Sequence, residues 1–145
     1  MTNYLSIDPG SKKCGVIIAD IDKCLVLEGK VVYTSSAFFV INSWIDKYNI
    51  KKIILGNGTS SKYWNQKLRD ILPILLVEEY GTSLKARDRY FEIWPLPRLI
   101  RWFPKGLIKI NENLDAVAAL IILEKYLGKK IIWKIKKNFK TLHAQ

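Results

Sequence analysis

Three short apolar segments at the head of the chain, Asn3 to Asp8, Cys14 to Asp20 and Cys24 to Tyr33, are joined by turns of a few residues. This spacing constrains the fold more than any other feature. Pro9-Gly10-Ser11-Lys12-Lys13 and the turn through Ile21-Asp22-Lys23 leave no room for a crossover helix, so neighbouring segments must pair antiparallel as a meander. After Tyr33 the rhythm changes. Ser35 or Ser36 caps a predicted helix to about Tyr48, with Phe39, Ile41, Trp44, Ile45 and Tyr48 at its apolar positions. Lys52 to Leu55 and Ile74 to Val77 are short apolar runs of the kind buried in a parallel sheet, with a predicted helix over Lys62 to Ile71 between them. Thr82 or Ser83 caps a further helix through Tyr90. Pro95, Pro97 and Pro104 make residues 91–110 a long irregular connection. Asn111 or Asn113 then opens a strongly apolar helix, Leu114 to Leu127, which Gly128 stops. A meander running into βαβ units predicts an α/β fold, a mixed sheet with helices on both faces.

One core suffices for 145 residues, and no internal boundary interrupts the pattern. Residues 1–128 read as the domain and 129–145 as a basic tail. The longest apolar runs are too short to cross a bilayer, and the first residues lack the basic and apolar regions of a secretory leader. A cytoplasmic protein with reduced cysteines is expected: Cys14 and Cys24 are too far apart in sequence for a CxxC site. The single histidine, His143, is the third residue from the end. Any chemistry must therefore come from carboxylates and metal.

Charge points to the partner. Lysine and arginine number 24 against 13 acids, a net charge of +11. The excess is uneven: residues 81–145 hold 14 basic and 5 acidic residues. A basic half favours a polyphosphate partner through counterion release. A general lysine bias is the bland alternative, since 19 of the 24 are lysine, but the nucleic-acid reading is favoured.

Three acids fall where ligands gather in an open α/β sheet, at the carboxyl ends of strands. Asp8 ends the first strand, Glu79 follows the last, and Asp115 heads the apolar helix. Taken singly, each has an ordinary explanation. Asp115 suits the positive end of its helix, Asp8 before Pro-Gly suits a turn, and Glu78 and Glu79 suit solvent past a strand end. Their convergence on one sheet edge is what suggests a site. A one-residue slip of register would exchange Glu78 for Glu79.

The surrounding segments resemble the YqgF/RuvX family of RuvC-like nucleases. Asp8-Pro-Gly10-Ser-Lys-Lys13-Cys-Gly15 is similar to its Asp-x-Gly-x-x-Arg/Lys-x-Gly opening, and Glu78-Glu79-Tyr-Gly-Thr82-Ser83-Leu-Lys-Ala86-Arg87 to its Asp-Glu-Arg-x-Thr-Thr-x-x-Ala-Arg segment. Leu114-Asp115-Ala-Val-Ala118-Ala119 resembles its Val-Asp-x-x-Ala-Ala helix, and Ile54-Leu55-Gly56-Asn57-Gly58 matches in place and character. Tyr80 and Gly81 depart from the arginine and apolar residue usual there. The resemblance implies an RNase H-like fold, a five-stranded sheet of three antiparallel and two parallel strands in the order 3-2-1-4-5. It implies Asp8, Glu79 and Asp115 as catalytic acids holding Mg²⁺ or Mn²⁺, for which oxygen ligands are suited. Asp8 would bridge two ions of a two-metal site. Gly10 and Gly15 would let the backbone turn tightly beside a phosphate that Lys13 contacts, and Glu112, one turn before Asp115, is a further candidate acid.

For nucleic-acid contact the sequence offers Lys13, Arg87, Arg98, Arg101 and Lys105. The last three stand in a loop that interleaves basic and aromatic residues, a composition suited to backbone and unpaired bases. Trp94 and Trp102 read singly as core anchors of that loop. Six lysines over 129–140, with Ile131, Ile132, Ile135 and Phe139 at helical spacing, read as a basic amphipathic helix, most simply one capping the sheet. The expected function is a metal-dependent endonuclease, monomeric or homodimeric, on structured nucleic acid and not on a membrane. Its substrate is the 5′ end of the 16S rRNA precursor or a Holliday junction. A non-catalytic nucleic-acid-binding protein on the same fold is the alternative of another class. An actin-like kinase shares an Asp-x-Gly opening but needs two such domains.

Overall fold

The computed structural model describes residues 1–110 and 113–134. Glu112 and His143, and the tail beyond Lys134, lie outside the described residues. The elements follow the predicted order: β1 (Asn3–Asp8), β2 (Lys13–Asp20), β3 (Leu25–Tyr33), α1 (Thr34–Tyr48), β4 (Ile50–Gly56), α2 (Ser61–Leu68), β5 (Ile74–Val77), α3 (Thr82–Ile93) and α4 (Leu114–Leu127). The five strands form one sheet in the order β3-β2-β1-β4-β5. The β1–β2 and β2–β3 pairs are antiparallel, while β1–β4 and β4–β5 are parallel.

Alternation along the central strands divides the core into two layers. Leu5, Ile7, Cys14, Val16, Ile18, Ile53 and Leu55 face α1 and α2, where Ile41, Trp44, Trp64 and Leu68 cover them. Ile17, Ala19 and Ile54 face the other way and pack under α4, against Ala116, Ala119, Leu120 and Leu123. Because α4 is buried along most of its length, a nearly continuous apolar run is what its position demands.

Several local expectations are corrected. No side chain caps α1, which begins at Thr34. The helix α3 starts after Gly81, whose φ of 74° places it in the left-handed region, so Thr82 is the first helical residue and not the cap. That helix also continues to Ile93, where Tyr90 and Trp94 stack at 4.9 Å. Asn113 holds the cap position of α4 with φ 64° but makes no capping bond through its side chain.

The basic tail does not begin as a helix. Over 131–134 the chain is extended, pairing Ile132 with Leu25 through Val26 N–H to Ile132 O and Ile132 N–H to Cys24 O, both 2.8 Å. Ile131 and Trp133 point into the core and the two residues after them in turn, Ile132 and Lys134, point out. Two-residue alternation has overridden the helical spacing.

Candidate active site

The carboxyl edge of β1 and β4 carries the candidate acids, and alternation decides which side each takes. Ser6 is on the α4 side, since its Oγ donates to Ala119 O at 2.7 Å. Asp8, two residues on, shares that face. Val77 packs in the α4 layer, so Glu79 follows it toward Asp8 while Glu78 turns out to solvent. The Glu78 carbonyl is held by Lys125 Nζ at 2.8 Å. A tight turn, Thr82 N–H to Glu79 O at 2.9 Å, starts α3 immediately afterwards.

Asp115 arrives by a different route. It stands in the first turn of α4, whose N-terminal end lies directly on β2: a Cβ on Gly15 would overlap the Asp115 carbonyl and lie 2.7 Å from the Ala116 nitrogen. Gly15 pairs with Asp8 across the sheet. It is therefore not part of a turn beside a phosphate, as the family resemblance implied. It lets a helix approach the strand at backbone distance. Gly10 does serve a tight turn, since a Cβ there would meet the Lys13 carbonyl.

Two further glycines complete the cradle. A Cβ on Gly56 would overlap the Glu79 carboxylate, and one on Gly58 would lie 2.5 Å from Oε2. Sequence reading placed these glycines without giving them work; a Gly-x-Gly step directly after an apolar strand was the available signal.

Electrostatics tie the three acids together. Burial, then the charges of Glu79 and Asp115, push the Asp8 carboxyl up to about 7. Burial raises Glu79, opposed by a hydrogen bond with Asp8. Two ionised carboxylates cannot donate to one another, so that bond requires a proton held between them. Burial likewise raises Asp115, opposed by the positive charge of Lys13. Among the described residues, Glu79 Oε1 is buried with no hydrogen-bond partner. Among the described residues no three His, Cys, Asp or Glu side chains close into a compact ligand cluster. Asp8 and Glu79 are in hydrogen-bonding contact, and Asp115 acts on Asp8 through its charge. An orphaned carboxylate oxygen and three acids of raised proton affinity are what a hard divalent cation would satisfy.

The candidate nucleic-acid residues are dispersed. Lys13 is exposed at the start of β2, with its ammonium 5.5 Å from the Tyr33 ring. Arg87 turns inward: its Nη2 donates to the carbonyls of Lys105 at 3.2 Å and Ile108 at 2.7 Å, shaping the loop between α3 and α4. Arg98, Arg101 and Lys105 are exposed on that loop. Trp94 is an anchor, packed on Tyr90 and Trp133. Trp102 is not, being 79% exposed.

Comparison with solved structures places this architecture. RuvC of Thermus thermophilus in complex with a Holliday junction substrate superposes with a TM-score of 0.51 at 14% identity, covering 91% of this chain and 100% of RuvC. A second T. thermophilus RuvC structure gives 0.50 at 12% identity, covering 90% and 100%. The fold is RNase H-like. Component A of (R)-2-hydroxyglutaryl-CoA dehydratase from Acidaminococcus fermentans overlaps less well, with a TM-score of 0.42 at 21% identity over 66% of this chain and 36% of that one. No family model and no curated protein matches the sequence.

Proposed function

We propose that this chain is a metal-dependent endonuclease acting on structured nucleic acid, with Asp8, Glu79 and Asp115 as its ligands and catalytic acids. The observation that carries the reading is the buried, unpartnered Glu79 Oε1 beside an Asp8 that holds its proton to about 7. Structural needs alone do not explain two carboxyls brought together over two glycines, because burying like charges costs stability. Mg²⁺ or Mn²⁺ bound there would supply an activated water and neutralise charge on the scissile phosphate. The chain's own residues do the rest. Asp8 and Glu79 would hold the ion in their deprotonated forms, Gly56 and Gly58 keep the Glu79 carboxylate seated, and Lys13 offers a positive charge at the Asp115 side of the edge.

The resemblance of the motif segments to the YqgF/RuvX family supports a reading in which a single RNase H-like domain over 1–128 matures the 5′ end of the 16S rRNA precursor in the cytoplasm. Branched DNA is the second reading, favoured by the likeness to a RuvC solved on a Holliday junction. Titrating Mg²⁺ and Mn²⁺ against a pre-16S 5′ leader and a four-way junction separates them. Wild type is expected to cut the RNA and Asp8→Asn to cut neither substrate; equal cleavage by Asp8→Asn would end the metal-site reading. Binding of either substrate without cleavage at any metal concentration would leave a binding protein on a nuclease fold.

A further inference from the structure

The loop between α3 and α4 presents a surface that the carboxylate site does not use. Residues 95–110 contain Arg98, Arg101, Lys105 and Lys109 and no acid. Two single-turn 3-10 segments, Arg98–Ile100 and Lys105–Leu107, flank Trp102. The indole is 79% exposed. Its nitrogen donates to Leu99 O at 2.8 Å, inside its own turn, and Phe103 sets an edge against it, with ring centres 5.9 Å apart and 73° between planes. The side chain is thus fixed, and its one polar atom is satisfied. What it offers a partner is an aromatic face held among positive charges.

The loop joins α3, which follows Glu79, to α4, which carries Asp115. The helix α3 begins three residues after Glu79 and carries the chain away by roughly 18 Å, at 1.5 Å per residue. The loop then returns it to Asn113, where α4 begins. Arg87, midway along α3, clasps the carbonyls of Lys105 and Ile108 and so holds the returning half of the loop against the middle of that helix.

We propose that the exposed face of Trp102 stacks an unpaired nucleobase while Arg98, Arg101 and Lys105 take the adjoining phosphates, so that the protein selects nucleic acid with a single-stranded segment. The proposal rests on the nucleic-acid reading above. Charge decides among occupants. A second copy of this loop would bring four positive charges against four more. A lipid surface is normally taken by an amphipathic helix of many residues, whereas the helical pieces here are three residues long. A base has the flat π-face, and its backbone the negative charge, that this arrangement complements.

The test is fluorescence anisotropy of the full chain, in EDTA, with a labelled twelve-nucleotide single strand and a blunt duplex of equal length. Trp102→Ala is expected to weaken single-strand binding about tenfold and leave duplex binding unchanged, and Trp102→Phe to retain most of the affinity. Wild-type affinity in Trp102→Ala, or an equal loss on both probes, would overturn the proposal. So would a Trp102→Ala variant that binds oligonucleotides normally but no longer pellets with phosphatidylglycerol vesicles or no longer self-associates. An exposed indole contributes little to the core, and an unchanged melting temperature would exclude misfolding. Because binding is read without metal, Trp102-dependent single-strand binding in a protein that cuts nothing would support stacking and sink the nuclease reading. Metal-dependent cleavage with no such binding would do the reverse.

Discussion

Gly56 lies directly beneath the Glu79 carboxylate, so that a Cβ on the glycine would occupy the same space as Oε1. The relationship couples the end of β4 to the acid that follows β5, across a parallel pair whose register ends with Gly56 opposite Val77. Gly56→Ala should therefore act on Glu79 and not on the sheet. Isothermal titration with Mn²⁺ is expected to show an affinity at least about tenfold weaker, and cleavage should fall about 100-fold, the scale of losing a catalytic group. The melting temperature of the metal-free protein should hold or rise, since expelling Glu79 removes a like charge from Asp8. A variant that melts early and binds metal normally would show that Gly56 serves the strand.

The raised proton affinity of Asp8 gives metal-free stability an unusual slope. In the unfolded chain this carboxyl loses its proton near 3.8, and in the folded protein near 7. The folded state therefore binds the extra proton between those values, so stability is greatest at the acid end of the window and declines as pH rises toward 7. Glu79 and Asp115 are shifted in the same direction. Because Asp8 is only partly buried, the effect between pH 5 and 7.5 should be on the order of 1–2 kcal/mol after allowance for solvent screening. Urea denaturation in EDTA should show it, and Asp8→Asn should flatten the curve. A wild-type protein more stable at pH 7.5 than at pH 5 in EDTA would contradict the assignment.

Metal should reverse that slope. Ligands must lose their protons to bind, so affinity for Mg²⁺ or Mn²⁺ rises as pH climbs through 7. At about 100 times its dissociation constant, a single bound ion adds roughly 2.7 kcal/mol, which for a domain of this size raises the melting temperature by several degrees. Differential scanning fluorimetry of wild type should show that rise at pH 8 and little of it at pH 5.5. Asp8→Asn and Glu79→Gln should show none, and Asp115→Asn a reduced one. Equal stabilisation of wild type and Asp8→Asn would place the ion elsewhere.

Most of the framework was legible because its elements are short and strongly patterned. The bounds of β1, β5 and α4 coincide with their apolar runs, and the strand order follows from a meander entering βα units. The strand β4 begins two residues earlier than its apolar core suggests, because Ile50 pairs with Asn3 ahead of a register shift. That shift is a tertiary event with no local mark. Residues 131–134 are extended although Ile131 and Ile132 stand at helical spacing with Ile135 and Phe139, because Ile131 and Trp133 also fit a two-residue period that the free edge at Cys24 to Val26 selects. Glu79 over Glu78 was decidable in principle from Val77, once its face was known. The exposure of Trp102 was not decidable, since it depends on how an irregular loop closes.

A buried ion pair fastens that extended segment to both helices beside it. Arg89, on α3, and Glu124, on α4, approach at 2.8 Å with side chains only 12% and 9% exposed. Glu124 Oε1 also accepts from Ile131 N–H, and Arg89 Nη2 donates to Ile131 O, both at 2.8 Å. Removing one partner leaves the other charged and buried, so Glu124→Ala should cost about 3 kcal/mol or more in urea denaturation. Glu124→Gln keeps an acceptor for Ile131 and should cost less, by about 1 kcal/mol or more. The pair is remote from the carboxylate edge in the helix sequence, with Glu124 nine residues beyond Asp115. Both variants should consequently retain wild-type Mn²⁺ affinity at temperatures where they are folded. Loss of metal binding in Glu124→Gln without loss of stability would mean that α4 is positioned over Gly15 by this pair, and not by its own packing on the sheet.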